Sequence, residues 1–254
     1  MKMQFLGATS QCDQHANFYN SNVIISQNNT DRVLLLDCGT DIKQSLYHCD
    51  MHFDVITDVY ISHLHSDHVG GLEWLCLLKR YSSKKDKLHL WISKDLVVPL
   101  WENTLKGGLE YLTDEIGRLE TFFHVHSIDK TFAWQGINFT LAKCNHISGP
   151  RGPMPCYGLF IENDNHKIFF TGDTKLIDDE RVDYMRKANL IFHDVETTIP
   201  ASGVHAHYNE IRLYPAEIKE KIWLYHYNAI SLPETFQSDG FRGMVKQGQV
   251  FTFL

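Results

Sequence analysis

The sequence is poor in the features that would carry a chain into a bilayer, onto nucleic acid or into an oxidising compartment. No apolar run approaches the ~20 residues that cross a membrane. The opening stretch MKMQFLGATS lacks the apolar core and small-residue cleavage site of a secretory signal. Cationic excess is missing too: 24 Lys and Arg stand against 31 Asp and Glu, a formal charge of −7. That balance argues against a broad grip on nucleic-acid backbones. It leaves a small phosphate substrate open, because bound cations reverse the local field. The six cysteines, at positions 12, 38, 49, 76, 144 and 156, include no CxxC pair. Neither a disulfide framework nor a zinc finger fits that spacing, so reduced, packed thiols are expected. The expectation is a soluble, cytoplasmic protein with no stable nucleic-acid or membrane partner.

No low-complexity linker or fixed-period repeat interrupts the 254 residues, which are enough for a sizeable core in one domain, 1–254. Short apolar runs recur and read as strands: Met3–Leu6, Val23–Ser26, Val33–Leu36, Val59–Ser62, His89–Ile92, Phe122–Val125 and Ile137–Lys143. Tyr157–Ile161, Lys167–Thr171, Leu190–His193, Ile222–Tyr225 and Val250–Phe253 continue the series. Helical spacing fits Gly71–Arg80, Asp179–Lys187, Pro215–Lys221 and Lys94–Leu105, the last with Ser93 as N-cap. Strands first, then strands mixed with helices, point to two stacked sheets with helices outside.

What the chain has in excess is histidine, fifteen residues, the commonest neutral metal ligand near pH 7. Position separates ligands from surface scatter. The run His63-Leu64-His65-Ser66-Asp67-His68 follows a strand and leaves through Gly70-Gly71 into a helix. A strand-end turn of this kind converges four donors on a small volume. His63 and His65 can share one ion while Asp67 and His68 face a second. Imidazole with carboxylate suits zinc, and also manganese or iron.

This HxHxDH run resembles the metallo-β-lactamase superfamily, and the resemblance extends along essentially the whole chain. It implies a four-layer αββα sandwich and a hydrolase using two divalent ions. His146, after Ile137–Lys143, matches the third histidine of the first ion. Asp173, in Thr171-Gly172-Asp173-Thr174, matches the bridging carboxylate, and His226, after Ile222–Tyr225, the last ligand of the second. Asp37, in Leu36-Asp37-Cys38-Gly39, matches the aspartate that supports a ligand histidine from behind.

Within the superfamily, several branches fit poorly. Only 28 residues follow His226, too few for the helical substrate domain of glyoxalase II-like thioesterases. Phe5-Leu6-Gly7-Ala8-Thr9-Ser10 and Phe192-His193-Asp194-Val195-Glu196 resemble motifs of the ribonuclease Z-like phosphodiesterases. In that branch a non-ligand histidine helps protonate the leaving group. His207, oriented by Asp194 or Glu196, fits that role, and His205 is nearly as good a candidate. The branch's RNA-processing enzymes insert a long basic arm between the third histidine and the bridging aspartate. Here that interval is 27 positions. The armless layout resembles small cyclic-nucleotide phosphodiesterases, including anti-Pycsar proteins. In such relatives an aromatic residue of a second subunit caps the nucleotide, a role Tyr111 could take in a homodimer. Arg151, on a Gly/Pro-rich loop near His146, could pair with a phosphate bidentately. The expected substrate is a small, cyclic nucleotide. A transfer-RNA endonuclease, a lactonase or other ester hydrolase, and a non-catalytic nucleotide-sequestering module remain the alternatives.

Overall fold

The computed structural model describes residues 1–11 and 18–253, so Cys12 lies outside the described residues. In chain order the strands of the two sheets and one hairpin are β1 (Lys2–Phe5), β2 (Val23–Ser26), β3 (Val33–Leu36), β4 (Asp58–Ile61), β5 (Leu88–Ser93) and β6 (Phe123–Ile128). They continue with β7 (Thr131–Trp134), β8 (Ile137–Lys143), β9 (Ser148–Gly149), β10 (Gly152–Pro153), β11 (Tyr157–Glu162) and β12 (Lys167–Phe170). The last are β13 (Leu190–Asp194), β14 (Ile222–Tyr225), β15 (Gly243–Met244) and β16 (Val250–Thr252).

Two compact units result. The first comprises Met1–Gly7, Tyr19–Asp129 and Gly248–Thr252. Its sheet has the order β16-β1-β2-β3-β4-β5-β6. The β16–β3 side is antiparallel, whereas β3, β4, β5 and β6 run parallel. Parallel strands covered on both faces read as unbroken apolar runs. Accordingly Leu34, Leu35, Leu36, Val59, Tyr60 and Ile61 are all buried. Because β3 and β4 run the same way, the loops that follow them, with Asp37 and His63, leave from one end of the sheet.

The second unit contains Lys130–Gln247 and is built on the order β15-β14-β13-β12-β11-β8-β7. Strands β12, β13 and β14 are mutually parallel. Strand β11 is antiparallel to both β8 and β12, so β8 runs with that set. Four strands therefore end at one edge, and each is followed or closed by a histidine or aspartate.

Boundaries shift by up to three residues from the pattern-based reading, and some elements depart further. The helix expected over Lys94–Leu105 is α-helical only to Leu100, widens into a π turn at Trp101–Leu105, and resumes over Lys106–Leu109. Pro99 removes a backbone donor there and Gly107-Gly108 weaken the last turn. Ser93 makes no side-chain cap bond. A helix at Ile42–His48 and strand β7 were not evident from periodicity, being short and mixed in polarity. Cys38, Cys76, Cys144 and Cys156 are buried thiols. Burial pushes Cys38 and Cys76 upward, keeping both protonated. Among the described residues no helix is long and apolar enough to cross a membrane.

One buried charge stabilises the first unit. Asp58, fully buried at the start of β4, accepts from Arg32 Nε at 2.7 Å, Trp91 Nε1 at 2.9 Å and Thr57 Oγ1 at 2.7 Å. Burial alone would raise its carboxyl, but these donors and the Arg32 charge outweigh that and hold it below the usual range. Arg32→Met is expected to cost roughly 2–4 kcal/mol at pH 7, since about a third of the Arg32 side chain reaches solvent. A depressed carboxyl stabilises fully above its unfolded value, ~3.9, and loses that contribution as pH falls through the lower folded value. The gap between wild type and variant in urea unfolding should therefore close in acid. An unchanged midpoint at pH 7 would show the pair to be inert.

Candidate metal centre

In the first unit, β4 delivers Ser62 and His63 directly, and His65 caps a single helical turn, Ser66–Val69, that carries Asp67 and His68. This turn is pinned by backbone bonds from Cys38 N to His68 O at 2.7 Å and from Gly71 N to Cys38 O at 2.9 Å. The fit requires Gly39: a Cβ there would stand 2.2 Å from the Asp67 carbonyl. His63, Asp67 and His68 are buried. His63 Nε2 lies 3.0 Å from His65 Nδ1, and His68 Nε2 lies 3.3 Å from Asp67 Oδ2.

Asp37 stands behind this group. It accepts from His68 Nδ1 at 2.8 Å, Ser62 N at 2.8 Å and Ser62 Oγ at 2.7 Å. Ser62 Oγ also lies 3.0 Å from His63 Nδ1. One carboxylate thus orients His68 directly and bears on His63 through a hydroxyl. Asp37 holds this place with φ of 60°, a left-handed conformation that carboxamide and carboxylate side chains tolerate best. Asp37→Ala is expected to weaken divalent-ion affinity about 10–100-fold, as losing an outer partner of a ligand histidine does. Competition with a chromophoric chelator would read this directly, and unaltered affinity would remove Asp37 from the centre.

In the second unit, His146 follows β8, Asp173 follows β12, Asp194 ends β13 and His226 follows β14. All four are buried. His226 Nε2 lies 3.5 Å and His146 Nε2 4.0 Å from Asp173 Oδ2. The outer nitrogens are occupied: His146 Nδ1 donates to Val204 O at 2.9 Å and His226 Nδ1 to Asp194 Oδ1 at 3.1 Å. His226, like Asp37, is left-handed, with φ of 64°. Burial lowers His146, favouring the neutral imidazole that a cation needs.

The two candidate proton donors have different surroundings. His205 Nδ1 lies 2.8 Å from Asp194 Oδ2, and its ring centroid is 4.8 Å from that of His146 and 4.9 Å from that of His226. Burial would lower its imidazole, yet the Asp194 charge and hydrogen bond outweigh that and raise it. For Asp194, burial would raise the carboxyl, but His205 and His226 bring it down to about 2. His207 instead caps the helix Tyr208–Ile211, accepting from Asn209 N at 3.2 Å, with Nε2 3.1 Å from Thr198 O. The expected orienting of His207 is thus corrected: Asp194 holds His205, and Glu196 is engaged by Thr198 and Ser202. Tyr111 is 87% exposed beside Ile116. Arg151 sits exposed at the turn of the β9–β10 hairpin. Ser62 and Val204 carried no role in the motif-based reading, because their contributions arise only when loops meet.

The donor chemistry suits a divalent ion. Two nitrogens at ordinary zinc–imidazole length stand about 3.3 Å apart on a tetrahedron, close to the His63–His65 spacing. Outer nitrogens held by carboxylate, hydroxyl and carbonyl match what ligand histidines require. The fold is that of the metallo-β-lactamase proteins. The Bacillus subtilis protein YhfI, of that fold, superposes with a TM-score of 0.75 at 20% identity, covering 98% of both chains. Zn(2+)-bound PqqB from Methylobacterium extorquens superposes at 0.73 and 14% identity, covering 100% of both.

Within that fold the chain belongs to the anti-Pycsar family, whose profile, "Anti-Pycsar protein Apyc1", matches residues 1–251. A Paenibacillus harenae member is 35% identical over 215 residues, 83% of each chain. A member from Bacillus phage BSP38 is 31% identical over 246 residues, 92% of each.

Proposed function

We propose that this protein is a metal-dependent phosphodiesterase that opens a small cyclic nucleotide. The observation that carries the reading is family membership over 1–251 in a chain holding the full imidazole and carboxylate set. On the resemblance of the HxHxDH run and the strand-end residues that follow it, His63, His65, His146 and Asp173 are assigned to one ion, and Asp67, His68, Asp173 and His226 to a second. Zinc fits these donors best, with manganese or iron also suited. When bound, the ions supply a nucleophilic water at neutral pH and offset phosphate charge.

The chain's own residues do the rest. With Nδ1 committed to Asp194, His205 presents Nε2 as the nitrogen that gives a proton to the departing sugar oxygen. Asp194 favours the charged form of that imidazole and at the same time fixes His226. The interval from His146 to Asp173 consists of the β9–β10 hairpin and strands β11 and β12, which favours a compact substrate over a gripped RNA. Arg151 on that hairpin is offered as a phosphate contact. A homodimer is proposed from Val98, Tyr111 and Ile116, exposed by 67%, 87% and 72%, with Tyr111 available to a nucleotide held by the second copy.

The test is a panel of cyclic pyrimidine and purine monophosphates, an aryl phosphodiester and a precursor transfer RNA, each with and without chelator. Chelator-sensitive opening of a cyclic nucleotide is expected. Tight binding without turnover in ion-loaded protein, or cleavage of the RNA alone, would overturn it.

A further inference from the structure

Outside the centre, histidine gathers once more in the first unit. Strand β6 carries His124 and His126 two positions apart, which places both imidazoles on one face. The neighbouring parallel strand β5 presents His89, whose Cα pairs with that of His124, on the same face. His89 Nδ1 lies 2.8 Å from His126 Nε2. The His89 ring centroid is 4.9 Å from that of His124 and 5.1 Å from that of His126.

These spacings have a chemical meaning. Imidazoles bound to one tetrahedral ion at ordinary zinc–nitrogen length have centroids about 5.2 Å apart. His89 already stands at that separation from both partners. A His-x-His pair on one strand with a third histidine from the next strand sets three imidazoles on one face, and closing them on an ion requires the rings to rotate.

The surroundings favour a site over chance crowding. Trp91 stacks on His126 at 4.1 Å and 11°, limiting the positions that ring can take. The nearby Arg32 charge, which would repel a cation, is committed to the buried Asp58 carboxylate. Burial lowers both His89 and His126, so neutral rings are available at pH 7. His89 and His124 line a cavity of about 690 Å³, which gives an ion access and leaves room for a water or anion as fourth ligand.

The position separates this cluster from the centre already described. His89 is the second residue of β5 and pairs with Asp58 at the start of β4, whereas His63 follows the end of β4. With strands rising about 3.3 Å per residue, roughly 15 Å of sheet lies between them.

We propose that His89, His124 and His126 form a second, mononuclear site for a zinc-like divalent ion, with an open position toward the cavity. Its test does not depend on the nucleotide reading. Wild type, H89Q/H126Q and H124A are loaded with Zn2+, desalted, and their zinc counted, with Co2+ substitution read by visible absorption. Wild type is expected to retain one more ion per chain than H89Q/H126Q, and H124A to bind that ion at least tenfold more weakly. The double variant should keep full chelator-sensitive activity on an aryl phosphodiester. In folded wild type, Co2+ at one further equivalent should broaden the Trp91 indole N–H resonance, a readout that survives if a variant fails to fold. Equal ion counts in wild type and double variant, or an unperturbed Trp91 signal at saturation, would overturn the site.

Discussion

Replacing His63 and His65 together by alanine is expected to remove one ion and slow chelator-sensitive hydrolysis by at least about 10³-fold, roughly 4 kcal/mol of barrier. His63 is buried, and its Nε2 lies 3.0 Å from His65 Nδ1. Two adjacent imidazoles facing one another are favourable only when a proton or a cation lies between them. Their loss removes donors that no other side chain of the turn replaces, since Asp67 and His68 are assigned to the second ion. Fold damage can be separated from ion loss by thermal unfolding. An ion that binds only the folded state raises Tm in proportion to the logarithm of its concentration. In chelator the variant should melt near wild type, and added zinc should raise the wild-type Tm further. Wild-type turnover in the variant would end the assignment.

His205→Ala should slow opening of a cyclic nucleotide by about 10²–10⁴-fold, the usual contribution of a placed general acid. The same substitution should slow an aryl phosphodiester by less than about tenfold. A nitrophenolate leaves without a proton, whereas a sugar alkoxide does not. His207→Ala should change either substrate little, because its ring is engaged with Asn209 N and Thr198 O. Equal slowing of both substrates by His205→Ala would make that residue a structural support of Asp194 and not a proton donor. Asp194→Asn should be the more disruptive change of the two, since one carboxylate holds both His205 and His226.

Much of the fold could be read along the chain because buried and half-buried strands leave short apolar or alternating runs bounded by turn residues. Val23–Ser26, Val33–Leu36, Ile137–Lys143 and Ile222–Tyr225 fall where the pattern placed them. The two-sheet metallo-β-lactamase fold expected from the HxHxDH run is the fold of the solved neighbours. The helix at Lys94–Leu105 misled, because hydrophobic spacing is indifferent to the donor Pro99 lacks.

By itself the sequence determined the strand ends and the residue types placed on them, because each is a local property: an apolar run, a turn glycine, a histidine or aspartate next in line. Tertiary structure alone decided which donors meet. It gave Asp194 to His205 and His226, set Ser62 between Asp37 and His63, and brought His89 beside His124 and His126. These contacts join strands and loops far apart along the chain. Only sheet register and loop packing bring such atoms within the few ångströms at which a proton or an ion can be shared.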